Sequence, residues 1–301
     1  MIGYAHADYA ASLAEYGSPR LLPGCNGWVL ERSIPGTLHR DAIGCYPLFA
    51  CRDWSRLRED IENLGEELVS LVLVTDPFGD YTQDSLRRTF KDLVIPFKEH
   101  FIVDLAATPE TFVHPHHRRN ARKALEVISV AGCAAAASIQ EWRGLYANLV
   151  DRHDIAGIAR FSDSSFALQS KVPGAVMLRA IHEGQTVGMT WWFVSEGVGY
   201  YHLGAYSDAG YELRASFGLF WRAIELLRAD GLRWLDLGAG AGVANDAQDG
   251  LNRFKKGWST GTRTAYLCGR ILDRGRYAEI VKAKGVAPTN YFPAYRKGEF
   301  G

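Results

Sequence analysis

The stretch from Tyr200 to Trp258 constrains the fold more than any other part of this 301-residue chain. Tyr200 to Tyr206 alternates large and small residues as a strand does, which predicts Tyr200, His202, Gly204 and Tyr206 on one face and Tyr201, Leu203 and Ala205 on the other. Ala215 to Leu227 then carries Phe217, Phe220, Trp221, Ile224 and Leu227 at helical spacing, and Asp230-Gly231 is a helix stop. Leu232 to Leu237 is a second short apolar strand. A strand, a helix of about three turns and another strand predict a right-handed crossover between parallel neighbours. Ligands of such sheets bind at the strand carboxyl ends, where Tyr206, Asp208, Asp236 and Gly238 would lie.

The rest of the chain supplies two layers of helix and strand. In the first half, 27–32, 43–51, 68–74 and 100–105 read as strands, with helices over 53–64 and from Leu86 to about Pro96. Residues 109–126 form a helix-rich connector. A strand follows over 127–136 and a helix over 139–153, with Trp142, Leu145, Tyr146 and Leu149 on one face. Strands at 175–181, 186–194 and 199–206 are joined by Glu183-Gly184 and Glu196-Gly197, so three antiparallel strands precede the crossover. The expected class is α/β, strictly an α+β mixed sheet. The halves show no close sequence repeat but share an element order, with a boundary expected at 112/113.

Composition excludes several classes. Apolar residues make up 47% and charged residues 23%, ordinary for a globular protein. Lys plus Arg (34) equals Asp plus Glu (34), so any phosphate-bearing partner must be held by a local patch. Five scattered cysteines without a CxxC pair predict a reduced, cytoplasmic setting. The longest apolar run, 68–74, is strand-sized, so no membrane span is expected, and the N-terminus has no secretion signal pattern.

Three segments carry a family resemblance: His117-Arg118-Arg119-Asn120-Ala121-Arg122-Lys123-Ala124; Tyr201-His202-Leu203-Gly204-Ala205 with the following helix and Trp234-Leu235-Asp236-Leu237-Gly238; and Gly250-Leu251-Asn252-Arg253-Phe254-Lys255-Lys256-Gly257-Trp258. Their order and spacing resemble the FemABX branch of the GNAT acyltransferases. The resemblance implies two tandem GNAT-like domains, 1–112 and 113–301, the second entered through the basic connector helix. It also implies transfer of an acyl or aminoacyl group to the amine of a small molecule or peptide, the co-substrate being aminoacyl-tRNA or, alternatively, acyl-CoA, with no tightly bound cofactor. CoA-dependent relatives carry a (Q/R)xxGx(G/A) loop whose amides hold the pyrophosphate. Here that place reads Arg214-Ala215-Ser216-Phe217-Gly218, with its Gly inside the helix, which favours the tRNA donor.

The candidate residues follow. Asp236, on an apolar strand beside Trp234, and His202 are the candidates for handling the amine. Lys255 matches the family's FK lysine, which lies at the substrate cavity in relatives. Arg118 and Arg122, one helical turn apart, suit phosphates, and Trp192 and Tyr206 are candidate pocket walls. Backbone N–H groups around 203–206 and 235–238 are the expected polarisers of the carbonyl. His114, His116 and His117 lack acidic or Cys partners at ligand spacing, so no metal is expected. Two other classes fit parts of the chain. The run from Asp236 through Gly238 and Gly240 to Gly242 is close to the glycine loop of S-adenosylmethionine methyltransferases, but it lies too late in the chain and lacks the acidic residue about 20 positions on. A non-catalytic ligand-binding domain of the same fold is the other.

Overall fold

The computed structural model describes residues 2–240 and 250–299. Eleven strands, β1 (Ser18–Leu22), β2 (Gly27–Ser33), β3 (Arg40–Gly44), β4 (Ser70–Val74), β5 (Leu93–Asp104), β6 (Ser129–Cys133), β7 (Ala175–His182), β8 (Gln185–Ser195), β9 (Val198–Tyr206), β10 (Trp234–Asp236) and β11 (Gly261–Ile271), form one continuous sheet. Its order is β1-β2-β3-β4-β11-β5-β10-β9-β8-β7-β6. The helices are α1 (Ala7–Ala11), α2 (Leu57–Asn63), α3 (Gln83–Thr89), α4 (Pro109–Phe112), α5 (Pro115–Leu125), α6 (Ile139–His153), α7 (Asp163–Gln169), α8 (Asp208–Glu212), α9 (Ala215–Ala229), α10 (Gly250–Lys256) and α11 (Arg274–Ala283). Among the described residues no helix is long and apolar enough to cross a membrane.

All neighbouring strands are antiparallel except two pairs, β3 with β4 and β9 with β10. Each parallel pair is joined through a helix, α2 in the first half and α9 in the second, so the shared element order is a shared topology. At the centre the halves exchange strands. β5, which follows β4 in sequence, pairs with β10, and β11, which follows β10, pairs with β4. The C-terminal tail closes the exchange: buried Arg296 pairs with fully buried Asp41, and the Tyr295 hydroxyl meets Ser70 and Asp41.

The local elements follow their residues. Glu183-Gly184 and Glu196-Gly197 all have positive φ, the backbone of tight hairpins whose twist matches the flanking strands. The helix expected to reach Pro96 ends instead at Thr89, and 93–104 is one strand. Leu93-Val94-Ile95 is a β-favouring apolar run, and Pro96 is tolerated because β5 bulges there: Lys98 pairs with Ala265 and Pro96 with Tyr266. The strand expected over 43–51 is displaced to 40–44.

Helices cover both faces of the sheet. One face of the second half buries Trp142, Phe166, Trp191, Phe193 and Tyr200 with α1, α6 and α7. The other buries Trp192, Phe220, Leu235 and Trp258 with α5 and α9.

Candidate active site

The second half opens where its parallel pair stops. β10 pairs with β9 at Trp234–Val198, Leu235–Gly199 and Asp236–Tyr200, and among the described residues no strand continues along that side of β9 from Tyr201 to Tyr206. This opening is flanked by one decisive irregularity. β8 pairs Trp192 with Tyr201 but Trp191 with Leu203, so His202 is an extra residue, a bulge. A one-residue insertion exchanges the faces of everything after it. Tyr200, Leu203 and Ala205 therefore share the core face with Trp191, while Tyr201 and Tyr206 lie on the opposite face with α9. The simple alternation expected for 200–206 is corrected by this bulge.

On the α9 face the hydroxyls of Tyr201 and Tyr206 both reach over Gly204, where a Cβ would stand 2.8 Å from that of Tyr206 and closer still to that of Tyr201, and burial pushes both phenols above their ordinary range. Lys255 of α10 is buried, its Nζ 2.6 Å from the Ala239 carbonyl and 5.7 Å from the Tyr201 ring centre. Gly238 has φ +73°, and a Cβ there would stand 3.1 Å from Nζ, so the loop leaving β10 needs a glycine beside this lysine. Trp192 is fully buried behind Tyr201, its Nε1 donating to Thr190 Oγ1 (3.1 Å); it supports the wall without lining a pocket.

The opposite face carries paired, buried polar groups. Asp236 accepts from Gly238 N (2.7 Å) and lies 2.9 Å from His100 Nδ1 on β5. Tyr200 donates to Asp76 (2.9 Å), in the loop after β4, and burial pushes the Asp76 carboxyl up to about 6. Tyr4 bonds His202 Nδ1 (3.2 Å), whose Nε2 meets Gln169 (3.1 Å). Burial drives His202 down to about 3; both nitrogens are engaged and the imidazole is neutral, so the structure places it as a packed strand histidine. Sequence reasoning missed Asp76, His100 and Tyr4. The one signal was Asp76 at the carboxyl end of an apolar strand, in the run Thr75-Asp76-Pro77-Phe78-Gly79.

Two of the expected polarising amides are committed elsewhere: Leu237 N donates to Phe101 O (2.8 Å) and Gly238 N to Asp236. Five amides around the α8–α9 junction are committed too. Gly210 and Tyr211 N bond Ser207, Leu213 N bonds Ala209 O, Arg214 N bonds Tyr211 O and Phe217 N bonds Arg214 O, all within α8 and its junction. Gly218 serves packing, since a Cβ there would meet Ile128 at 2.9 Å.

Arg118 and Arg122 lie on α5, lining an open hollow of about 650 Å³ with Arg119, Trp221, Leu125 and two glutamates; Arg118 also donates to the Glu110 carbonyl (2.6 Å). The structure does not bring them to Lys255. The connection is His117, whose Nε2 bonds Phe254 O (2.9 Å) and whose ring sits among Phe217, Phe254 and Trp258, fastening α5 to α10. Among the described residues no group of three His, Cys, Asp or Glu could hold a metal ion. Residues 241–249 of the glycine-rich run lie outside the described residues. Its strand, β10, has an antiparallel neighbour on one side, so the sheet is not the doubly wound parallel kind of the methyltransferase reading.

Residues 115–256 match the model of a family described as an acetyltransferase (GNAT) domain. A GNAT domain over these residues supports an acyltransferase, and the chain as a whole has a FemABX-like fold. It is similar to FemX (TM-score 0.65, 13% identity, covering 91% of this chain and 93% of that one). It is also similar to L-PGS from Bacillus licheniformis (TM-score 0.61, 13% identity, 91% and 94%) and to the C-terminal DUF2156 domain of an Agrobacterium fabrum protein (TM-score 0.59, 12% identity, 92% and 91%). No curated protein matches the sequence.

Proposed function

We propose that the protein transfers an aminoacyl group from aminoacyl-tRNA to the amine of a small molecule or peptide, in the opening between β9 and β10. The donor choice rests on the missing (Q/R)xxGx(G/A) loop: the one glycine of Arg214-Ala215-Ser216-Phe217-Gly218 lies inside α9, packed on Ile128, and not in a loop that could wrap a CoA pyrophosphate. The neutral amine attacks the ester carbonyl, the C–N bond forms, the C–O bond to the ribose breaks, and one amine proton leaves with the freed hydroxyl. Lys255 and the edge of β9 beyond Tyr200, which no described strand pairs, would stabilise the oxyanion, with Tyr201 and Tyr206 beside them. Asp236 and Asp76, on the other face, would orient the amine. Arg118 and Arg122 would take tRNA phosphates. In this reading the halves 1–112 and 113–301 are tandem GNAT-like units, only the second is catalytic, and dependence on tRNA puts the protein in the cytoplasm.

The test supplies mixed aminoacyl-tRNA or mixed acyl-CoA with a panel of amines and follows loss of the charged donor. Consumption of aminoacyl-tRNA supports the reading; consumption of CoA thioester alone overturns it.

A further inference from the structure

One cation on the acceptor face is held in place without a carboxylate to hold it. Arg263 on β11 pairs across the ladder with His100, the residue that binds Asp236. Its guanidinium carbon lies 4.3 Å from the centre of the Phe78 ring and 5.3 Å from that of Trp234, and Nη1 makes one long bond to the Pro77 carbonyl (3.4 Å). Among the described residues no carboxylate lies within ion-pair distance of it, whereas its neighbour Arg233, also over Trp234, is paired with Asp104 (2.9 Å). Two rings fix the plane of the Arg263 fork and leave most of its N–H donors uncommitted, the pre-organised state in which arginine binds a planar anion. The Phe78 ring that holds Arg263 also contacts Tyr200, which carries Asp76 (ring centres 6.1 Å). The cation therefore lies one ring away from the buried carboxylates assigned to the amine. All these groups come from the exchanged centre of the sheet: β11, β10, β9 and the loop after β4.

We propose that Arg263 binds the carboxylate of the acceptor, so that the acceptor is a small zwitterion of the amino-acid class, its carboxylate on the Arg263 fork and its amine towards Tyr200 and Asp236. This deepens the transferase reading and rests on it. A bidentate arginine–carboxylate pair fixes both distance and orientation, which a single ammonium contact would not.

The experiment offers the twenty amino acids and their α-carboxamides as matched acceptors, with mixed aminoacyl-tRNA as donor. It also measures binding of the same panel without donor, by tryptophan fluorescence, since Trp234 touches Arg263. Wild type should prefer at least one amino acid over its carboxamide by tenfold or more in kcat/KM. Arg263→Gln should abolish that preference through KM, and Arg263→Lys should retain part of it. Melting curves establish that the variants fold, and Arg263→Lys carries the test if Arg263→Gln does not. Equal use of carboxamides by wild type, or a preference unchanged in the variants, overturns the proposal while leaving the transferase reading standing. Arg263-dependent binding of an amino acid without any transfer supports the clamp and sinks the transferase reading instead. Neither binding nor transfer of a carboxylate-bearing acceptor overturns the clamp.

Discussion

The molecule contains the same junction twice, and among the described residues only the first copy is closed. In the first half β3 and β4 run parallel through Ala42–Leu71 and Ile43–Val72, and the gap beyond them is stitched shut. Phe49 forms a parallel bridge to Thr75, its N donating to Val74 O (2.7 Å) and its carbonyl accepting from Asp76 N (3.0 Å). Its fully buried ring packs in an apolar core under α2. In the second half no described residue stitches the gap beyond Tyr200 and Asp236; it holds Lys255, Tyr201 and Tyr206 on one face and buried carboxylates on the other. A parallel pair joined by a helix leaves a gap at its tips in either case. What fills the gap, apolar side chains with backbone hydrogen bonds or polar groups left facing it, decides whether it is core or a reaction centre.

The sharpest way to break this contrast is to exchange the effects of its two fillers. Phe49→Ala should lower stability by about 3–5 kcal/mol, the cost of a buried aromatic cavity, with KM unchanged in the fraction still folded. Denaturant melts and kinetics on the same samples check this, and a selective KM change would make the first-half junction part of the site. Lys255→Ala should reduce kcat by about 10²–10³-fold, equivalent to about 3–4 kcal/mol, for loss of an oxyanion donor. Its melting temperature should fall far less than its activity. Parallel loss of both would mark the lysine as a structural pin on Ala239.

Asp76 sharpens the comparison because it links the closed junction to the open one. A carboxyl lifted from the usual range to about 6 favours the protonated native state, so stability from this group is full below pH 4 and lost as pH rises towards 6. Asp76→Asn should remove that slope and gain up to about 2 kcal/mol at pH 7, read from urea melts between pH 4 and 7. A wild-type slope of opposite sign from this residue would disprove the burial argument. The smallest effect expected is at α5. Arg118→Ala with Arg122→Ala should raise KM for tRNA several-fold at low salt and hardly at all at high salt, since exposed phosphate contacts act by counterion release. A salt-independent change would detach the basic helix from the tRNA.

Much of the second half was legible because its signals are local. The hairpin turns, the α9 stripe and the short strand around Asp236 each declare themselves within a dozen residues, and they suffice to predict the parallel crossover. The placement of Lys255 came from the resemblance; its burial against Tyr201 came from the structure. The faces of 200–206 were misread because a bulge leaves no mark in a period-2 pattern; it exists only relative to the register of β8. β11 went unread, and with it Arg263, since Gly261 to Ile271 has no strong alternation and becomes a strand by filling the space between β4 and β5.

By itself, then, the chain determined its layers, the crossover and the choice of residue types around 200–258, because periodicity and turn chemistry act between near neighbours. Only tertiary packing decided that the halves trade their central strands, that His100 meets Asp236 and Tyr200 meets Asp76 across more than 120 residues, and that one of two equivalent gaps is sealed. Those outcomes depend on which distant strand wins each edge and on which buried polar group finds a partner, and neither is written in any short window of sequence.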